Sequence, residues 1–479
     1  MVEAIEFKPH DYQRAAIDMI KNNPESALLL DCGLGKTIIT LMSIVEMGLH
    51  RVLVIAPRTV ADTVWEQEAA KWKQTSHLTF ARVLGDAKHR AAALDKEADI
   101  YLISRDNVVW LKERLDLNWF DMIVFDESSS FKNHTAKRTK ALFGLTHPRK
   151  IILTATPVPK NLLDLFAQYK ILDCGRTLGN KYSDFRDTYF VNHNPYFPDY
   201  KPKLGAEVAI FDLIAPETMS MRSKDLLQLP ERIDLTSRVE MDYKEYQAYL
   251  YFAKQSVIKL LEKSKEKNPN GDIVTLTAAN SGVLTNKLAQ FANGFVYWTD
   301  EETGEKSYID IHHHKEEAME YILEACAGEC VVVAYQFKHD LERLFALADR
   351  MGLRALDLRV SENIIKYNAG ECDIAFLHPK SAGFGLNLQG PSHRLVWYAL
   401  PWSYEEYEQT NARIYRQGQK HTTFIHNIEC VGTVDEDIIE ALKCKQGFND
   451  RMKSSTLAYA LGATGEITLN NRVKPRFAF

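Results

Sequence analysis

The sequence predicts an α/β fold built from parallel sheets with helices on both faces, and three observations carry that prediction. Short β-branched runs alternate with helical patterns through the first half, a glycine loop sits between an apolar strand and an amphipathic helix in SALLLDCGLGKTIITLMSIVEM at 26–47, and a second alternation of strands and helices begins at Lys315. Alternation of this kind places crossover helices between parallel strands. With 479 residues, 46% of them hydrophobic, the chain has apolar matter enough for well-buried cores and the length of roughly two to four domains.

FKPHDYQRAAIDMI reads as the first amphipathic helix, with Tyr12 and Gln13 at its head. The Gln13 amide carries both a donor and an acceptor, which suits the edge of an adenine ring. The glycine loop follows. Gly33 and Gly35 let the backbone approach an anion, Lys36 brings a point charge to the outer phosphates, and Thr37 offers a hydroxyl to magnesium. Leu30 stands where the usual G-x-x-x-x-G-K-[ST] pattern has its first glycine, so the match is partial and leans on the strand and helix around it. RVLVIAP, DIYLIS, DMIVFD and RKIILTAT read as further strands, separated by helical patterns such as TVWEQEAAKW and DNVVWLKERL. Loops at the carboxyl ends of parallel strands gather along one edge, where the glycine loop also lies, so polar residues there are candidates for chemistry. Asp126 and Glu127 end one strand. The first can hold magnesium and the second can take a proton from an attacking water. Thr154, Ala155 and Thr156 close another strand before Pro157 stops the ladder.

From Cys174 to about Met221 the periodicity weakens, which predicts an irregular insertion. Tyr196, Phe197 and Tyr200 within it could stack on bases, but an aromatic turn packed on its own domain is the favoured reading. Residues 242–295 read as helices with a lysine-rich exposed face, and the later strands ECVVVAY, ECDIAFL and HRLVWYA come without a second G-K-T. Ser381, Gly383 and Gly385 form a loop able to approach a phosphate backbone. PWSYEEYEQTNARIYRQGQ reads as a helix carrying Gln409, Arg413 and Arg416 on one face. No extra strand pair is visible in the second half.

The net charge of -5 and a pI near 6.3 mean that any nucleic-acid contact rests on a local basic groove. No run approaches the roughly 18 apolar residues of a membrane span, and no charged head precedes an apolar run, so a soluble, intracellular protein is expected. Seven scattered cysteines suit a reducing compartment. Cys326 and Cys330, with His312, His313 and His314 upstream, have the elements of a zinc site, but Cys326 ends an apolar-periodic helix and Cys330 begins a strand, which favours core packing.

The order GLGKT, APRT, LISRDN, DESS, LTATP resembles the first lobe of a superfamily-two helicase with a DEAD/DEAH-box-type ATPase core. LTATPVPKNLLDLFAQYKIL and RSKDLLQLPERIDLTSRVEMDYKEYQAYLYF resemble its Swi/Snf-like branch, and the segment holding Arg413 and Arg416 resembles the family's last motif; together the resemblance covers about residues 7–450. It implies two tandem RecA-like lobes, 1–230 and 231–457, with the irregular insertion at about 174–221, a helical insertion at about 242–295 and a tail at 458–479. It further implies hydrolysis of ATP with Mg2+ where the lobes meet, Gln409, Arg413 and Arg416 reaching across from the second. Arg58, Ser104, Ser381 and Gly383 would contact nucleic acid, most naturally double-stranded DNA along which the protein moves. Ser128 and Ser129 depart from the Ala-Asp or Ala-His that usually follows the acids, which bears on coupling rather than on magnesium. Short intervals suit a compact, stand-alone viral or prokaryotic member, working in the cytoplasm of a prokaryotic cell or virus-infected host, or in the nucleus if eukaryotic, with an unidentified protein partner supplying targeting. An RNA or DNA strand-separating helicase and an ATP-gated clamp or switch are the alternatives. Since no wedge hairpin is visible, translocation without separating long stretches is expected, with the aromatic turn at Tyr196 to Tyr200 the one candidate against it.

Overall fold

A strand covered by helices on both faces must be apolar along its whole length, and that is the character of the runs that form the first sheet. The computed structural model describes residues 4–158, 161–193, 200–226, 229–267, 273–299, 306–380, 387–447 and 449. The chain divides into one unit holding the residues up to Val191 with Pro202–Leu227, and a second holding Gln228–Gln446.

In the first unit β1 (Glu25–Leu30), β2 (Val52–Ala56), β4 (Ile100–Ser104) and β5 (Met122–Asp126) are buried along almost their whole length. With β3 (Phe80–Val83), β6 (Lys150–Leu153) and β9 (Thr218–Met221) they form a seven-stranded sheet in the order β3-β4-β2-β5-β6-β1-β9, every pair parallel. Two short strands, β7 (Phe190–Asn192) and β8 (Tyr200–Pro202), stand outside it. The helices are α1 (Asp11–Asn22), α2 (Lys36–Met47), α3 (Trp65–Ala70), α4 (Ala87–Leu94), α5 (Val108–Arg114), α6 (Lys137–Leu142), α7 (Asp164–Asp173), α8 (Tyr182–Tyr189), α9 (Ala206–Ile214) and α10 (Ser223–Leu226). The stretch 174–221 is therefore not irregular throughout. Phe185, Ile210, Phe211 and Ile214 are buried on α8 and α9, elements too short to register as a long periodic pattern, and β9 pairs with β1. Tyr196 and Phe197 lie outside the described residues, and Tyr200 begins β8.

In the second unit β10 (Arg232–Val239), β13 (Val331–Ala334), β14 (Ala355–Asp357), β15 (Ile374–Leu377), β16 (Arg394–Trp397) and β17 (Thr423–Cys430) form a parallel sheet in the order β10-β17-β16-β13-β15-β14. Val332, Ala375, Leu395 and Ile425 pack into one core, and Val331, Val333, Ile374 and Phe376 into another. That alternation is the two-residue period of strands with helices on both faces. Its helices are α11 (Tyr243–Lys267), α12 (Ile273–Ala292), α13 (His314–Ala325), α14 (Lys338–Arg350), α15 (Ser361–Asn368) and α16 (Tyr404–Asn411), and residues 434–447 are helical.

One element contradicts the expectation of no extra strand pair. β11 (Phe295–Thr299) and β12 (Lys306–Asp310) are antiparallel partners. Gly294, at φ 92, releases the chain from α12, and a Cβ there would lie 2.0 Å from His312 O, so only glycine fits. One face of the ribbon is anchored: Phe295 is buried against His339, and Tyr297 Oη accepts from His339 N at 2.8 Å. The other leaves Trp298 43% and Ile309 57% exposed.

The cysteines and histidines do not assemble as a zinc site. Cys330 Sγ lies 3.7 Å from Cys372 Sγ, His312 bonds to Phe291 O and His314 to Glu245. Among the described residues no group of three or more His, Cys, Asp or Glu is placed to hold a metal, and no helix is long and apolar enough to cross a membrane.

Candidate active site

The glycine loop between β1 and α2 is formed by two left-handed residues, Gly33 at φ 86 and Gly35 at φ 82. Left-handed backbone is strained for any residue with a Cβ, and at Gly35 a Cβ would also meet Gln13 Nε2 at 2.8 Å. The loop therefore closes over Gln13 only because position 35 is glycine. Lys36 and Thr37 open α2, and Lys36 Nζ donates to Leu30 O at 2.8 Å and Asp31 O at 3.4 Å. Tyr12 and Gln13 brace the loop from below. Tyr12 Oη donates to Leu34 O at 3.3 Å and Gln13 Nε2 to the same oxygen at 3.4 Å, while Gln13 Oε1 accepts His10 N at 3.0 Å. Burial pushes the Tyr12 phenol up to about 12.

Asp126 ends β5 and Glu127 follows at φ 52, a left-handed backbone on a non-glycine residue. The bend takes Glu127 off the line of the strand, and Thr154 Oγ1 approaches its carboxylate at 3.5 Å. Asp126 Oδ2 accepts Trp65 Nε1 at 2.9 Å and Oδ1 accepts Glu127 N at 3.0 Å. Burial raises the Asp126 pKa, and the charge of Lys36 pulls against it, so loop and acid act on each other electrostatically. Thr37 and Asp126 are hard oxygen donors of the kind magnesium prefers, and Asp126 keeps acceptor capacity beyond its two N–H partners.

The unusual Ser128 makes a link of its own. Its hydroxyl donates to Gln168 Oε1 at 2.8 Å, and Gln168 Nε2 donates to Pro157 O and Asp164 O at 2.8 and 2.9 Å. The acidic loop is thereby joined to the Thr154–Pro157 segment through α7. Sequence reasoning missed both Trp65 and Gln168. Trp65 read only as part of a helical pattern, whereas Gln168, a polar residue within the apolar run of α7, carried a readable signal.

Arg58 and Ser104, at the carboxyl ends of β2 and β4, line one surface cavity of about 420 Å³ together with Arg90 and Asn107. The Arg90 guanidinium lies over the Trp110 ring at 4.5 Å. Ser381 and Gly383 fall outside the described residues.

In the second unit Gln409 lies on α16, but Arg413 and Arg416 do not share a helical face with it. The helix ends at Asn411, whose side chain accepts Trp397 Nε1 at 2.9 Å, and the chain tightens into turns that bury Ile414. Arg413 N bonds to Thr410 O and Ile414 N to Asn411 O, the three-residue spacing of a tight turn. Gln419 then staples the segment, its Nε2 reaching Gln389 O, Ser392 O and Ile414 O. Both arginines stand on a braced turn.

Comparison with known proteins places this geometry. The family model described as SNF2-related domain matches residues 12–284. Putative protein p41 of Acyrthosiphon pisum secondary endosymbiont phage 1 is 31% identical over 466 residues, covering 93% of this chain and 97% of that protein. The DNA repair and recombination protein RAD54B of Homo sapiens is 23% identical, with 92% of this chain covered and 54% of that one. The CHD3-type chromatin-remodeling factor CHR7 of Arabidopsis thaliana is 24% identical, with 91% and 37% covered, so the chain spans about half or less of these larger relatives. Among solved structures, the Sulfolobus solfataricus SWI2/SNF2 ATPase core in complex with dsDNA covers 97% of each chain at 22% identity and a TM-score of 0.43.

Proposed function

The chain belongs to the SNF2-related family and is an ATP hydrolase, and from that premise we propose that it is a motor that uses ATP to move along double-stranded DNA. One observation carries the proposal: Lys36, Asp126 and Glu127 lie at the same carboxyl edge of one parallel sheet as the Arg58 and Ser104 cavity. Chemistry on the nucleotide and a concave polar surface, lined by Arg58 and Arg90 together with Asp86 and Asp106, thus share one sheet. DNA is favoured over RNA by the family and by the DNA repair and recombination relatives.

In this mechanism the loop amides and Lys36 bind the phosphates, and Lys36 leaves its carbonyl partners to do so. Thr37 and Asp126 would hold magnesium, which supplies positive charge at the outer phosphates. Glu127 orients the attacking water and takes its proton. Arg413 and Arg416, from the second unit, neutralise charge that develops in the transition state, a role that contributes about 10³ to 10⁵ in rate where arginine fingers act. The Arg58 and Ser104 cavity takes a phosphate of the backbone, giving movement with little dependence on sequence.

The β11–β12 ribbon favours a second reading, strand separation, because it presents an exposed Trp298 on an anchored hairpin. ATPase rates with duplex DNA, single-stranded DNA and RNA test the substrate. Displacement of a third strand from duplex DNA reports translocation, and a forked duplex with a labelled strand reports unwinding. Efficient ATP-dependent fork unwinding with no third-strand displacement would overturn the translocase reading.

A further inference from the structure

The residue that opens the glycine loop is also attached to the segment by which the chain leaves the first unit. β1 and β9 run in parallel with Leu30 opposite Met221, and Asp31 N continues the ladder by donating to Met221 O at 3.1 Å. Asp31 Oδ2 then accepts Ser223 N at 2.8 Å, and Ser223 Oγ donates to Cys32 O at 3.4 Å. Arg222 and Asp225 pair within the same short segment at 2.5 Å. Residues 221–226 are thus docked on the loop itself, just before the chain passes into the second unit after Leu227.

The same Asp31 is touched from the nucleotide side, because Lys36 Nζ donates to both Leu30 O and Asp31 O. A lysine ammonium that turns to phosphate oxygens must release those carbonyls, and the loop backbone at 30–31 answers. Its motion reaches Ser223 by the shorter of two bonds, from the Ser223 amide to the Asp31 carboxylate, with the longer one from the Ser223 hydroxyl to Cys32 O beside it. On the proposed reading as an ATP-driven motor, we infer that Asp31 is a positioning residue, which ties the joining segment to the phosphate loop so that filling the loop is read out at residues 221–226. It holds the backbone that precedes the second unit and takes no part in the chemistry.

The test is amide hydrogen exchange on the full chain, following the peptide that covers 219–226 with and without ADP and magnesium. In the parent protein, exchange there should change on nucleotide addition. Asp31→Ala removes the acceptor, so the Ser223 amide should exchange about fivefold faster without nucleotide, as expected for loss of one hydrogen bond, and the response to nucleotide should fall sharply. Asp31→Asn keeps an acceptor oxygen and should restore most of it. Ser223→Pro removes both the amide donor and the hydroxyl at a first helical position where proline is well accommodated, and in the remaining amides of the segment it should reproduce the loss of nucleotide response expected for Asp31→Ala. Unchanged exchange in β2 and β5 shows that the sheet is intact. A parent segment indifferent to nucleotide, or an undiminished response in both Asp31→Ala and Ser223→Pro, overturns the inference. No DNA is present in this measurement, so failure of DNA to stimulate hydrolysis in the parent would count against the motor reading and leave this one standing.

Discussion

Each unit contains a buried carboxylate whose pKa is raised by burial, Asp126 in the first and Asp340 in the second, and the two have different surroundings. Asp340 accepts Gln336 N, Phe337 N and Asn293 Nδ2 at 3.2, 2.9 and 3.0 Å. Around it Lys315 Nζ binds Asn293 Oδ1 and Asp435 Oδ2 at 2.7 and 2.6 Å, and Arg343 Nε binds Glu316 at 2.9 Å. Every one of these charges has a partner, and together they fasten α12, α13 and α14. Asp126 has two hydrogen-bond donors and one nearby cation, and that cation belongs to a loop shaped for phosphate. Burial of charge alone therefore does not mark a site. The distinction lies in whether the partners are fixed or must be exchanged with a ligand.

Removing partners should cost activity in the first unit and stability in the second. The largest effect is expected for Lys36→Ala, which should abolish nucleotide binding or turnover, while Glu127→Gln should keep binding and lower hydrolysis by about 10² to 10⁴, the usual contribution of a general base. Nucleotide titration and steady-state rates separate the two, and normal turnover in Glu127→Gln would remove Glu127 from the mechanism. Arg416→Ala tests whether the second unit contributes to chemistry at all. It should leave nucleotide affinity in place and cut DNA-stimulated hydrolysis by about 10³ or more; an unchanged rate would confine the reaction to the first unit.

Lys315→Met is the counterpart. It leaves Asp435 buried without its cation, which should destabilise the second unit by about 3 to 5 kcal/mol and leave nucleotide affinity unaltered, as a urea titration and a nucleotide titration would report. The smallest effect concerns pH. Burial pushes Asp340 up to about 6, above its unfolded value, so the folded state binds the extra proton between about pH 4 and 6 and stability falls as pH rises through that window, by up to about 3 kcal/mol. Asp340→Asn should flatten that slope. A slope that persists in the variant assigns it to other groups.

The fold was legible where strands are continuous apolar runs, as in β2, β4, β5 and β13, because burial on both faces leaves no other pattern. The glycine loop and the acidic pair were legible as candidates because their residues adjoin in the sequence. What escaped was fixed by distant partners. Trp65 meets Asp126 across 61 residues and Ser128 meets Gln168 across 40, so nothing local announces the first bond, and a polar residue inside an apolar helix is the sole local sign of the second. The helical spacing of Gln409, Arg413 and Arg416 was real in the sequence, but Asn411 is held by Trp397 and Ile414 is buried, and these tertiary contacts end the helix early. The β11–β12 ribbon escaped because it lies between two strongly helical stretches.

The left-handed backbone at Glu127 has an evolutionary consequence. A glutamate at φ 52 holds the chain in a conformation that costs about 1 to 3 kcal/mol for a residue with a Cβ, a cost that glycine would relieve and asparagine would reduce. Selection for stability alone should therefore erode this position, as it should Arg51 and Cys174 at φ 53 and 58, and on the proposed mechanism selection for turnover opposes it at Glu127. A descendant that had kept the fold as a passive binder and lost the motor would be expected to carry glycine or asparagine at position 127, with the glycine loop still intact.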